Sequence, residues 1–441
     1  MINTLDTFSE ARQRSQPPPG TYLQVAQHLC YFTSFWNTIY SGIYQCNIVI
    51  QKAPAIESQD ATLVPRIVGE AKFLRGMYYF HLASVFGGVP LVLTPLAPGE
   101  LTLERSTSDA TWDQIEKDFT EAAAALPVKS AYPAADLGRA TSGAAYAMLA
   151  KAYLMRQKYA LAETALATVV SSNGYTLVND FGKIFTKPYE NGTESVFEIQ
   201  HQNTNSGWID QTEGTWIPLY CGSRLNGGFG FDCPTVDLKN EFEPGDPRLI
   251  YTLTFSGDVF YGGEIIDNSQ SPTLYHSRKV ALGTNELSNP TYDQGYNIRF
   301  LRYADVLLLY AEVLNENGKP TDALTYLNMV RARARTTNPV DPRRVSQVVH
   351  ITVNLPNVTT TAQGDLRSKI WHERRVELGM EYVRRFDLVR QKRYGPVMRA
   401  YATTYNNDKG SAFNDAYHNL WPIPLNDINT SNQKITQNPG Y

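Results

Sequence analysis

No run in this chain approaches the roughly 18 to 20 consecutive apolar residues that a membrane-spanning helix needs. Residues 1–20 also lack the apolar core of a secretory leader, so either the chain stays in the cytoplasm or its export segment lies upstream of Met1. Excess charge is missing too: 40 basic residues stand against 43 acidic ones, a formal net charge of −3. A nucleic-acid partner is therefore not expected, because holding a polyphosphate requires a basic surface. Cysteine is scarce, and Cys30, Cys46, Cys221 and Cys233 show neither CxxC nor Cys/His metal spacing. Cys221 and Cys233 flank GSRLNGGFGFD and either close a loop disulfide or stand as two buried thiols; their spacing leaves both open.

Catalytic signatures are equally thin. The seven histidines are scattered, and WHER at 371–374 is not HExxH because no second His follows at helical spacing. No GxSxG or phosphate-cradling glycine motif occurs. An enzyme is not expected, although carboxylate pairs of the glycosidase kind come from distant segments and leave no linear trace. Neither a cofactor nor a metal is expected; a calcium site built from loop carboxylates and carbonyls stays open.

What the chain does have is aromatic residues: 27 Tyr, 18 Phe and 6 Trp, 12% of the total. Several sit in polar, glycine-rich stretches where no core periodicity explains them. Elsewhere the pattern is helical. Apolar residues recur at helical spacing in 36–52 and 63–87, predicting an antiparallel pair, and again in 109–127, with Asp109 as N-cap and Pro127 as stop. Residues 141–175 read as two helices broken near Gln157 to Tyr159, with small Ala residues alternating with large ones. The plan returns at 300–335, where Asn317, Gly318 and Pro320 form the turn and Ala323 permits close approach. Both pairs are near the tetratricopeptide repeat length of about 34 residues. The predicted fold is mostly α: tetratricopeptide-like pairs in a right-handed helical scaffold, at 36–175 and 299–398. Between them, 176–298 is a loop-rich insertion with little β structure, where ESVFEIQHQ alternates like a strand. Residues 399–441 form an irregular tail, with Pro422, Pro424 and Pro439 forbidding long elements.

The stretch WHERRVELGMEYVRRFDLVR, 371–390, concentrates charge. Glu381 has Arg384 and Arg385 at i+3 and i+4, and Arg374 has Glu377 at i+3, so opposite charges are expected to pair along a surface at about 0.2 to 0.5 kcal/mol each. Partly buried arginines there are also placed to tie neighbouring loops. Gly379 is expected to break the element in two. Near-balanced charge argues against an anion trap, and glutamates bracketed by arginines suit general-acid work poorly.

Five segments, EAKFLRGMYYFHLASVFGGVPLVLTPL (70–96), EFEPGDPRL (241–249), RFLRYADVLLLYAEVLNENGKPTDALTYLNMVRARA (299–334), ERRVELGMEYVRRFDLVR (373–390) and LWPIPLNDINTSNQKITQNPGY (420–441), together resemble the SusD/RagB family of Bacteroidetes. The resemblance runs from about Trp36 to Tyr441 and treats the chain as a single SusD-like domain. It implies a non-enzymatic outer-membrane lipoprotein at the cell surface that binds oligosaccharide or polysaccharide and caps a SusC-type TonB-dependent transporter, the lipid anchor lying upstream. Family members begin with a signal peptide, a lipidated cysteine and an arm before the first helix pair; here the pair is expected to start near Trp36, with ARQRSQPPPG as a remnant of that arm or a misassigned start. Tyr382 stands where the family usually has Gly, and Arg385 where an aromatic is usual.

A pyranose offers C–H groups on its faces and hydroxyls at its edge, so aromatic rings beside Asn, Asp or Arg match both. On that ground Trp208, Trp216, Tyr220 and Asn226 in 202–232, with Tyr292, Asp293 and Tyr296 in 289–300, are the candidate ligand residues. Each, taken singly, is equally suited to sealing the insertion onto the helices. Trp36, Trp112 and Trp371 belong to the core, and Trp421 to packing. Two alternatives stand beside glycan binding: a tetratricopeptide-like scaffold for a protein partner, and a peptide-binding member of the same family.

Overall fold

The computed structural model describes residues 22–97, 100, 102–172, 174–204, 213–260, 262–282, 293–405 and 410–441, with side chains from residue 32 onward. Among these the long helices are α1 (Tyr22–Lys52), α2 (Leu63–Phe86), α3 (Ser108–Ala125), α4 (Ser142–Met155), α5 (Tyr159–Ser171), α6 (Tyr303–Glu316), α7 (Pro320–Thr336) and α8 (Gln363–Glu377). About half of the chain is helical, and the strands are few and short. The mostly helical fold read from the sequence is therefore the observed one.

The described residues divide into two compact units: one holds those up to Val169 together with Phe386–Tyr441, the other Val170–Arg385. In the first, α1 packs on α2, α2 on α3 and α3 on α4. The first described helix reaches back to Tyr22, not only to about Trp36. Thr107, not Asp109, caps α3: its hydroxyl accepts the Ala110 amide at 3.1 Å, while Asp109 sits inside the first turn. A buried aromatic group of Phe35, Trp36, Phe86 and Trp421 closes this unit, with Trp36 Nε1 donating to Asp427 Oδ1 at 3.1 Å. The assignments of Trp36, Trp112 and Trp421 to packing agree with their burial. Deeper in, Arg75 holds Asp118 through two bonds of 2.9 and 2.7 Å, and its Nη1 donates to Asn47 at 2.9 Å.

In the second unit α6 and α7 form an antiparallel pair, with Ala323 fully buried, and α8 packs on α6. Three two-stranded antiparallel ribbons join distant segments: β1 (Ser195–Ile199) with β5 (Ile298–Arg302), β2 (Leu253–Thr254) with β4 (His276–Ser277), and β3 (Val259–Phe260) with β6 (Arg344–Ser346). ESVFEIQHQ thus supplies a strand, as its alternation predicts. Helix α8 ends at Glu377, and Arg384–Arg390 resumes after a bend in which Met380 and Tyr382 have φ of 65° and 63°. This left-handed backbone is what glycine adopts without strain, and Tyr382 occupies it despite its Cβ.

The glutamates of α8 do not form a surface ladder. Glu373 and Glu377 are buried, and their partners come from far along the chain. Arg248 Nη1 donates to Glu373 at 2.6 Å and Glu377 at 2.9 Å, while its Nη2 donates to Asp246 at 2.7 Å. Arg302 donates to Glu377 at 3.0 Å and grips Glu381 through two bonds of 2.6 and 2.7 Å. Arg333 joins Glu377 to Glu194, and Arg331 takes the other Glu373 oxygen at 2.7 Å. Lys279 Nζ donates to Glu381 at 2.5 Å and to the Glu377 carbonyl at 2.9 Å. The surface pairing expected within 371–390 is corrected to a buried network joining at least six segments. Burial here forces pairing, because an isolated ion in a dry interior costs several kcal/mol.

Candidate functional site

Four of the insertion's described aromatics, Trp216, Tyr220, Phe229 and Phe231, gather on one short turn. Thr215 and Gln294 bond reciprocally, N–H to carbonyl, at 2.9 and 3.2 Å, which fixes the entry to the helix Ile217–Cys221. The chain then reverses, and the Phe229, Gly230 and Phe231 amides donate to the Leu219, Gly222 and Tyr220 carbonyls at 2.8, 2.8 and 2.9 Å. Such close return requires glycine: a Cβ on Gly228 would come within 2.4 Å of the Gly222 carbonyl. Ser223 Oγ donates to the Asp267 carbonyl, tying the turn to the neighbouring loop.

This backbone presents four partly exposed rings. Tyr220 stacks on Phe231 with centroids 4.4 Å apart and planes 30° from parallel. Phe229 meets Phe231 edge-on at 6.3 Å, and Trp216 lies 6.3 Å from Phe229 at 54°. The result is a partly solvent-facing aromatic surface on a rigid turn, an arrangement suited to stacking against flat, weakly polar faces.

Of the sequence candidates, Trp216 and Tyr220 lie on this turn. Phe229 and Phe231, carried by the period-two alternation GGFGF, are not among those candidates and pack beside them. Asn226 is at the turn but already engaged: its Nδ2 donates to the Ile265 carbonyl at 2.9 Å and its Oδ1 accepts the Asp267 amide at 3.1 Å. Two expectations are corrected by burial. Asp293 is fully buried, its Oδ2 accepting the Thr204 amide at 2.9 Å, with Oδ1 wedged where a Cβ on Gly214 would sit 1.8 Å away. Tyr296 is 2% exposed; its hydroxyl donates to the Lys279 carbonyl at 2.7 Å and its ring lies under Arg299. Neither offers a face to a ligand. Trp208 and Tyr292 lie outside the described residues. Trp371, expected in the core, is partly buried and donates to Glu312 at 3.0 Å.

On the same turn, Cys221 and Cys233 are buried and not bridged to each other, the second of the two readings their spacing left open. Cys221 Sγ sits 3.9 Å from Asp232 Oδ2 and 3.8 Å from the Tyr382 hydroxyl. Burial pushes the Asp232 carboxyl up to about 8, against weaker pulls from Cys221 and Tyr382. A carboxyl that keeps its proton in the folded state above its ordinary value costs stability as pH rises from 3.8 towards 8. Asp232→Asn is therefore expected to raise the urea midpoint at neutral pH relative to wild type, with the difference vanishing below the ordinary carboxylate range. Paired urea titrations across pH check the sign.

A depression of about 580 Å³ in the first unit is lined by Gly87, Gly88, Arg105, Trp112, Lys434 and neighbours. Its Arg105 is engaged by the Phe86, Gly88 and Thr436 carbonyls. Among the described residues no group of three or more His, Cys, Asp or Glu is arranged to hold a metal ion. None of their helices is long and apolar enough to cross a membrane.

Comparison with known proteins supplies the rest. The family described as "SusD family" matches residues 193–441, and one described as "Starch-binding associating with outer membrane" matches residues 11–154. "SusD-like protein P25" of Formosa agariphila is 24% identical over 393 residues, 80% of this chain and 69% of that one. "Starch-binding protein SusD" of Bacteroides thetaiotaomicron is 25% identical over 418 residues, 84% of this chain and 72% of its own length. A solved structure described as "Laminarin binding SusD-like protein" superposes with a TM-score of 0.75 at 28% identity, covering 92% of this chain and 86% of that one.

Proposed function

Because the chain belongs to the SusD family, we propose that it binds an oligosaccharide or polysaccharide without transforming it, and passes it to a SusC-type TonB-dependent transporter in the outer membrane. The observation that carries this reading is the four-ring surface of Trp216, Tyr220, Phe229 and Phe231 on a turn whose backbone is fixed by its own hydrogen bonds. Pyranose C–H faces stack on such rings, and a preformed surface lowers the ordering cost of binding. Relatives named for starch and laminarin lend the ligand class. The buried charge network supports a binding role over catalysis, since Glu373 and Glu377 are buried and engaged by arginines.

Calorimetry of the purified protein against a panel of plant, algal and host oligosaccharides is the direct test, with saturable binding of at least one expected. Tight binding to peptides with none to any glycan overturns the reading. New reducing ends on incubation with a bound glycan overturn its non-catalytic part. Membrane association and the transporter partner are checked by co-purification from the native outer membrane.

A further inference from the structure

We propose that Arg224 makes this site selective for acidic sugars, reading a carboxylate or sulfate ester on a residue next to the one stacked on the rings. The inference rests on the glycan-binding reading above and narrows it to a charged ligand class.

Arg224 is exposed on the aromatic turn, and its Nε donates to the Phe229 carbonyl at 3.0 Å. Its aliphatic stem crosses Gly230, where a Cβ would stand 3.0 Å from Cγ and 3.2 Å from Nε. A side chain at Gly230 would crowd that path, and Gly230 also has φ of 63°. The backbone beneath is fixed by bonds from the Asn226 and Gly228 amides to the Ser223 carbonyl at 3.1 and 2.8 Å. The guanidinium is thus held beside Phe229 with its orientation set by one N–H.

The remaining fork, Nη1 and Nη2, has no hydrogen-bond or ion-pair partner among the described residues. By contrast, five buried arginines of the same unit, Arg248, Arg278, Arg302, Arg344 and Arg374, each hold a carboxylate. The acids on the loop packed against the turn are engaged elsewhere, Glu264 by the Asn226 side chain and Asp267 by the Ser269 amide at 2.8 Å. A planar, weakly hydrated cation with a free two-pronged face suits bidentate carboxylate or sulfate oxygens better than a lone hydroxyl.

The test compares matched pairs: oligogalacturonate with its methyl ester, and a sulfated galactan oligomer with its desulfated form, on wild type, Arg224→Met and Arg224→Lys. Wild type is expected to prefer one charged member over its neutral partner, with affinity falling as salt rises. Arg224→Met should weaken that charged ligand by about ten- to a hundredfold and leave neutral binding within about twofold. Arg224→Lys should recover part of the loss, because it restores the charge without the fork. The pair that responds distinguishes carboxylate from sulfate. Equal affinity for charged and neutral members, or equal weakening of both by Arg224→Met, overturns the proposal while glycan binding itself stands. Absence of binding to every glycan overturns both readings.

Discussion

Glu377→Gln is expected to lower folding stability by about 3–5 kcal/mol, the cost of removing one member of a buried ion-paired set. Glu377 is completely buried and contacts Arg248, Arg302 and Arg333. Burial alone would raise its pKa, yet Arg333, Arg302 and Arg248 outweigh that effect and hold it at about 2. Gln keeps the shape and leaves three guanidinium groups short of a negative charge. Equilibrium urea unfolding gives the magnitude. The pH dependence gives the mechanism: the folded pKa lies below the ordinary 4.5, so the stabilisation is fully present above 4.5 and lost as pH falls through about 2. The gap between wild type and variant should hold constant from neutrality down to that range and then narrow. A gap independent of pH down to acid unfolding would point to lost packing in place of lost charge.

Trp216→Ala and Tyr220→Ala are each expected to weaken glycan affinity by about 30-fold, equivalent to about 2 kcal/mol for an aromatic anchor. Both rings are partly exposed, so folding stability should change by about 1 kcal/mol or less. Tyr220 carries the larger structural component because it backs Phe231 at 4.4 Å. Tyr296→Phe provides the contrast. It removes the buried hydroxyl that donates to the Lys279 carbonyl at 2.7 Å, a loss of about 1 kcal/mol in stability, and should leave calorimetric affinity unchanged. Equal affinity losses in all three variants would mean that the turn, not its rings, is being read.

The helix pairs were legible because apolar spacing reports which face a helix buries, and 63–87, 141–175 and 300–335 carry that spacing plainly. Apolar spacing alone does not locate the start of α1, which reaches back to Tyr22. The charges of 371–390 were read as surface pairs because spacing reveals which side chains share a face, not what covers that face. The partners of Glu377 lie 129, 75 and 44 residues away. Similarly, Asp293 and Tyr296 have the chemistry of ligand groups, and only the ribbon and loop contacts that bury them show they serve the fold. Trp216 and Tyr220 were recognisable as rings among small polar residues, whereas the return strand that sets Phe229 and Phe231 beside them is a tertiary event.

The order in which the buried charges appear along the chain has a consequence for how the second unit is made. Arg248, Lys279, Arg302, Arg331 and Arg333 all precede Glu373, Glu377 and Glu381. A chain synthesised or threaded from its N-terminus therefore holds these five cations with Glu194, Glu243 and Asp246 as their acidic partners until the end of the unit, with Glu373, Glu377 and Glu381, emerges. Collapse before that point would strand like charges in a drying interior, so the earlier segments stay hydrated and open. Closure of the second unit is therefore expected to follow α8, which brings acidic partners to several segments at once; pulse-labelled hydrogen exchange showing these segments protected before α8 would contradict that order.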